Sequence, residues 1–326
     1  MPEFEAQLPL HVDSTMIAAF RSCPRRYYNE FVLGLRPKNP SVHLHAGAAF
    51  ASALEHFYNR YHIDGVDPHR AELEAIAVLS DEYGDFVCPD KEAKSLDRMI
   101  EALKDYLLTY PPKTDHVQPY FVEGFPTFEF SFSIPLDFKA PDGKDFPLHP
   151  VTGDPFMYVG RFDMLGTYNG VPCVKDDKTT KSASYNWAEQ WKLRSQFMGY
   201  VWACQYSGLP LDQVVIRGCV IQKTQIRQLE AICSYPDHLL QRWLILLRRD
   251  VERIAQYWNE GYFDFNYSDV CTSYGGCTFG ESCVSENPAI WLDDYVVNRW
   301  NPLAKNPDTR DVMKSITERT NEELKL

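Results

Sequence analysis

Two runs of alternating residues joined through Asn169-Gly170 constrain this chain more than any other feature. Met157–Gly166 (MYVGRFDMLG) and Val171–Lys178 (VPCVKDDK) have the period-two pattern of strands. Asn-Gly supplies the two residues of positive φ that a tight hairpin turn needs, so the runs pair antiparallel. Asp163 falls late in the first strand and Asp176 late in the second, where adjacent strands can bring them together. Lys178 is two residues beyond Asp176 and shares its face. Two strand-borne carboxylates offer oxygen ligands to Mg²⁺ or Mn²⁺. An ammonium beside them can orient a water or offset charge on a phosphate. A surface hairpin with solvated charges is the competing reading, because a D-x-K triplet is short and common.

The rest of the chain supplies helices and further strands. Residues 13–33 read as a helix capped by Asp13 or Ser14, with Met16, Ile17, Phe20, Tyr27, Tyr28 and Phe31 as its apolar stripe. Helices are also expected at 47–62, 69–84 and 92–109, the last stopped by Pro111-Pro112. Aromatics alternate with polar residues over 127–135, a strand signature. Asn186 with Glu189 three residues later opens an expected helix that runs to Ser207. Strands at 213–222 and 226–234 and a helix from 236 to about 260 follow. The order predicts an α/β fold, a mixed central sheet flanked by helices. It divides into an N-terminal helical region (1–118), a core (119–262) and a cysteine-rich segment with a tail (263–326). The tail, with Trp291 and Trp300, carries no assignable chemistry.

With 326 residues, 44% of them hydrophobic, the chain can bury a sizeable core. It has no apolar run long enough to span a membrane. Its first residues are acidic rather than basic-then-apolar, so a cytoplasmic location is expected. A net charge of -12 argues against a surface that coats nucleic acid by charge alone. Basic groups do cluster at Arg21, Arg25 and Arg26, at Lys175, Lys178 and Lys181, and at Arg242, Arg248 and Arg249. Nine cysteines without a secretory pattern disfavour a disulfide framework. Five of them (Cys88, Cys173, Cys204, Cys219 and Cys233) read as packed thiols.

GRFDMLG, VKDDKTTK and QFMGYVWA together resemble the RecB-like branch of the PD-(D/E)XK nuclease superfamily. In that branch an Asp follows a Gly-Arg pair, a D-x-K triplet follows on the next strand, and Q-x-x-x-Y lies on the next helix. The resemblance implies a restriction-endonuclease-like core, with Asp163 and Asp176 as metal ligands and Lys178 as the catalytic lysine. Gln196 and Tyr200, at i and i+4, would line the site. Family members often carry a His after G-x-x-F on an early helix; here Gly47-Ala48-Ala49-Phe50 is followed by Ala51. Glu55, one turn on and on the same face, is then the expected third metal ligand. His56 points about 100° away, and Glu129 on the first strand is a further acid that could approach.

Cys271, Cys277 and Cys283 are spaced C-x5-C-x5-C, wider than the C-x2-C pairs of most zinc sites. Three loop thiols plus one distant thiol suit a [4Fe–4S] cluster. Cys23, in Cys-Pro-Arg-Arg-Tyr-Tyr, would be the fourth ligand. This bracket is similar to the iron–sulfur RecB-like nucleases, which include CRISPR-associated ones, the AddB nuclease domain and phage recombination nucleases. The cluster would act as a staple across most of the chain. The expected function is a metal-dependent DNA nuclease, an exonuclease by resemblance, and recombination or adaptation partner proteins are implied only in the same way. Trp187, Trp191 and Tyr185 could stack on an unpaired strand or be core. A cluster-stapled DNA-binding or adaptor protein that has lost activity is the alternative, with Ala51 as its only hint.

Overall fold

The computed structural model describes residues 5–304 except 40, 123–124 and 274–275, and it leaves out the side chains at 121, 122, 125, 126 and 130. The C-terminal stretch 305–326 lies outside the described residues. Eight α-helices are described: α1 (Ser14–Ser22), α2 (Pro24–Tyr27), α3 (Val42–Tyr58), α4 (Pro68–Tyr83), α5 (Leu96–Thr109), α6 (Ser195–Tyr206), α7 (Asp237–Glu260) and α8 (Gly280–Val284). The strands are β1 (His11–Val12), β2 (Leu35–Pro37), β3 (Val117–Pro119), β4 (Phe121–Val122), β5 (Phe125–Pro126), β6 (Phe128–Pro135), β7 (Met157–Tyr168), β8 (Val171–Thr180), β9 (Gln213–Ile221), β10 (Ile226–Ser234) and β11 (Tyr295–Val297). Described residues within 1–39, 133–160 and 237–307 form one compact unit, and those within 40–132 and 161–236 form the other. The chain therefore passes between the two along β6 and β7.

The second unit is built on a mixed sheet. β7 and β8 pair antiparallel from Met164 opposite Lys175 to Tyr168 opposite Val171. Asn169 (φ 49°) and Gly170 (φ 84°) turn between them in the left-handed conformation that Asn-Gly tolerates. β8 then runs parallel to β9, with Asp176 opposite Ile216, and β9 pairs antiparallel with β10. A parallel pair needs a crossover, which α6 supplies. Helices α3, α4 and α5 cover this sheet through Phe50, Leu54, Phe57, Leu79, Met99 and Leu103, all buried against Met164, Cys173, Val215 and Ile221. The expected α/β architecture, a mixed central sheet flanked by helices, is the one observed.

The first unit packs α1 and α7. Met16, Ile17 and Phe20 of α1 are buried, as are Leu240, Trp243, Leu247, Val251 and Ile254 of α7. Arg21 is paired with Asp250 at 2.7 Å.

Two helix expectations need correction. The helix expected over 13–33 breaks at Cys23, which is extended (φ -164°, ψ 114°), and restarts at Pro24. Proline lacks an N–H and disfavours helical conformation in the residue before it. The helix expected from Asn186 begins only at Ser195. Before it, 181–194 folds as turns with a short 3₁₀ segment at Glu189–Trp191. Trp187 and Trp191 are buried there, and Trp187 fits only because position 218 is glycine. A Cβ at 218 would lie 2.4 Å from Trp187 Cζ2.

Candidate active site

β8 reads Lys175-Asp176-Asp177-Lys178, and pleating sends alternate side chains to opposite faces. Asp176 is fully buried, and Lys178 Nζ stands 2.5 Å from its Oδ2. Asp163, on β7, accepts a hydrogen bond from the Asp177 backbone N–H at 2.7 Å. The hairpin thus brings Asp163, Asp176 and Lys178 together.

Burial raises both carboxyls, against the pull of Lys178. Asp176 is pushed up to about 7, with the neighbouring Asp163 adding to the effect. Lys178 is raised in turn: burial works against its charge, but Asp176 and Asp163 more than offset that. Two crowded carboxylates with one ammonium between them make a site that gains from another cation. Asp176 Oδ2 meets the Lys178 ammonium, a contact showing that this buried oxygen already takes a cation. These two acids therefore fit a hard divalent cation.

α6 supplies the next layer. Gln196 Nε2 donates to Tyr200 Oη at 2.9 Å and reaches Asp176 Oδ1 at 3.4 Å. Tyr200 Oη donates to the Arg161 carbonyl at 2.6 Å, two residues before Asp163. Gln196 and Tyr200 are thus brought to the acids as their i, i+4 spacing predicts. Glu129 instead reaches Arg161, whose Nε is 2.7 Å from its Oε2. Its backbone adopts φ 48°, costing about 1 kcal/mol for a non-glycine residue.

Gly47, Phe50 and Ala51 of α3 face Asp177, Lys178 and Thr179 across a recess of about 280 Å³. Glu55 is half-buried on the same helix and does not line that recess. Among the described residues, no three His, Cys, Asp or Glu side chains gather closely enough to hold one ion. His56 is engaged elsewhere, 3.7 Å from Glu74.

The sequence pattern does not reveal what lies on the other face of β8. Lys175, 1% exposed, has its Nζ 2.5 Å from Asp177 Oδ2 and donates to Tyr58 Oη at 3.2 Å. Tyr106 Oη donates to Asp177 Oδ1 at 2.7 Å. Lys175 is thus no part of a basic surface with Lys178 and Lys181. The alternation K-D-D-K is the signal that marks these two residues as a separate pair.

In the first unit, Cys23, Cys271, Cys277 and Cys283 all line one cavity of about 980 Å³. Burial pushes the Cys283 thiol up to about 11, with Cys277, Cys23 and Cys271 adding to it. The four thiols share a cavity without standing at ligand-group distance. Of the five cysteines expected to be packed, four are buried and Cys88 is half-buried.

No curated protein matches this chain significantly. Among solved structures it is similar to SSO0001, at 13% identity and a TM-score of 0.30 over 74% of this chain and 78% of that one. It is also similar to a candidate exonuclease from Eubacterium rectale, at 11% identity and a TM-score of 0.40 over 80% and 86%. No described helix is long and apolar enough to cross a membrane. The sequence pattern of the PD-(D/E)XK nuclease superfamily matches residues 14–284, a span holding the hairpin, α6 and all four cavity cysteines. This chain belongs to the PD-(D/E)XK nuclease superfamily.

Proposed function

We propose that the chain is a metal-dependent deoxyribonuclease of the RecB-like branch that works from DNA ends. The observation that carries this reading is the convergence of Asp163, Asp176 and Lys178 on one face of the hairpin. Asp163 and Asp176 would hold Mg²⁺ or Mn²⁺, which when bound supplies Lewis acidity to a phosphate oxygen and to a water. Lys178, 30% exposed, holds a charged ammonium at the mouth of the site and can donate to a phosphate oxygen or an attacking water. Gln196 and Tyr200 tie α6 to Asp176 and to the β7 backbone, fixing the acids before substrate arrives. Resemblance supports work from strand ends. Cys23, Cys271, Cys277 and Cys283 would hold a structural [4Fe–4S] cluster, a role supported by their common cavity.

Ala51, standing where family members often carry a His, is the observation behind the alternative, a DNA-binding or adaptor protein without catalysis. One assay separates them: wild type and Lys178→Ala, purified without oxygen and given Mn²⁺, on labelled single- and double-stranded DNA with 5′- or 3′-blocked ends. Wild-type cleavage that Lys178→Ala reduces by at least 100-fold supports the enzyme, since one such electrostatic donor is worth about 10²–10³ in rate. Intact DNA in both supports the adaptor. Colourless, iron-free protein removes the cluster from the reading.

A further inference from the structure

Residues 181–194 run from the strand that bears Lys178 to the helix that bears Gln196, so both ends of the segment are fixed at the candidate site. Two tryptophans anchor it. Trp187 and Trp191 are 7% and 8% exposed and meet edge-on with ring centroids 5.4 Å apart. Trp187 lies on Gly218, and the Trp191 carbonyl accepts the Tyr235 hydroxyl. Turns stiffen the backbone around Trp187: its N–H donates to Ser184 O at 3.1 Å and Glu189 N–H to Asn186 O at 3.0 Å.

On this held frame Tyr185 is fully exposed. A lone exposed aromatic is ordinary; its surroundings set this one apart. Lys181, Lys192 and Arg194 of the same segment are all exposed. Lys192 is paired with Glu189 at 2.7 Å, and Lys181 stands 3.7 Å from Glu92. Among the described residues no acid pairs with Arg194, whose charge is close enough to act on Lys178. In a chain of net charge -12, a cationic, aromatic segment beside the site is a local departure.

We propose that 181–194 is a platform for unpaired DNA, with Tyr185 stacking on a base and Arg194 and Lys181 meeting the flanking phosphates. It rests on the nuclease reading of the neighbouring site and names how that site receives its strand. Every base offers a π-face, so stacking holds a strand without reading its sequence. The anchored backbone has little freedom to lose on binding. An apolar peptide would use Tyr185 and Leu193 but would leave Arg194 without a counterpart.

The test is fluorescence anisotropy with the full chain in EDTA, using a labelled dT oligomer and an abasic oligomer of equal length. Tyr185→Ala weakens dT binding by roughly 5- to 150-fold and leaves abasic binding unchanged, while Tyr185→Trp binds dT as wild type does. Arg194→Ala weakens both oligomers and lowers the salt slope by about one. Equal dT affinity for wild type and Tyr185→Ala, equal loss on both oligomers, or a wild type that binds neither overturns the proposal. Because hydrolysis is not read, a wild type that binds this way but never cuts overturns the nuclease reading and leaves the platform standing.

Discussion

Replacing Asp176 by Asn should stabilise the metal-free protein while abolishing its metal response. Burial lifts the Asp176 carboxyl from 3.8 to about 7. The folded state therefore holds a proton where the unfolded chain has already lost it. The penalty for ionising Asp176 is absent below about pH 4, grows between about 4 and 7, and is complete above about 7. Three units at 1.36 kcal/mol each set a ceiling of about 4 kcal/mol. Lys178 is 30% exposed and can follow solvent when its partner is neutralised, so about 2 kcal/mol is expected at pH 8. Urea denaturation in EDTA at pH 8 and pH 5 reads the gap, which should close at the lower pH. Added Mn²⁺ should stabilise wild type by mass action and leave Asp176→Asn unmoved. A variant less stable than wild type at pH 8, or a gap independent of pH, would show that the carboxylate is not strained by its burial.

On the opposite face of β8, Lys175→Met removes the ammonium beside the largely buried Asp177 carboxylate and leaves it the Tyr106 hydroxyl, and should cost about 3 kcal/mol in urea denaturation. Lys175→Met/Asp177→Leu should recover most of that loss; no recovery means that the pair is not the unit. Arg217 grips Asp115 through both terminal nitrogens at 2.7 and 2.5 Å, bonds Glu230 at 3.0 Å and lies 3.7 Å over Tyr110. Arg217→Met should therefore cost about 3–5 kcal/mol in the same assay. Gly218→Ala should displace Trp187, costing about 1–3 kcal/mol and shifting tryptophan fluorescence toward the solvent-exposed range.

The hairpin was legible because its information is local. Asn-Gly dictates the turn, alternation dictates the faces, and these alone bring Asp163, Asp176 and Lys178 together. Gln196 and Tyr200 were legible for the same reason, as a pair one helical turn apart. The start of α6 was not, because it depends on Trp187 finding space over Gly218, 31 residues away. A capping pattern at Asn186 carries no information about that distant vacancy. The break at Cys23 was written in the sequence as Cys-Pro, but a continuous apolar stripe across it outweighed the proline signal. Which acids a strand face will gather depends on where α3 lies over the sheet, and residue spacing does not contain that.

The palindrome in β8 has a consequence for how this protein can change. Since Lys175-Asp176-Asp177-Lys178 reads the same in both directions, a slip of one residue would still give each face an acid and a lysine. Charge balance alone therefore cannot reject the wrong register, and rejection falls to shape. Tyr58 accepts from Lys175 and Tyr106 donates to Asp177 on one side, and the Asp177 backbone N–H holds Asp163. A lineage exploring new chemistry can thus vary one side of the strand freely only while the tyrosine side is left untouched.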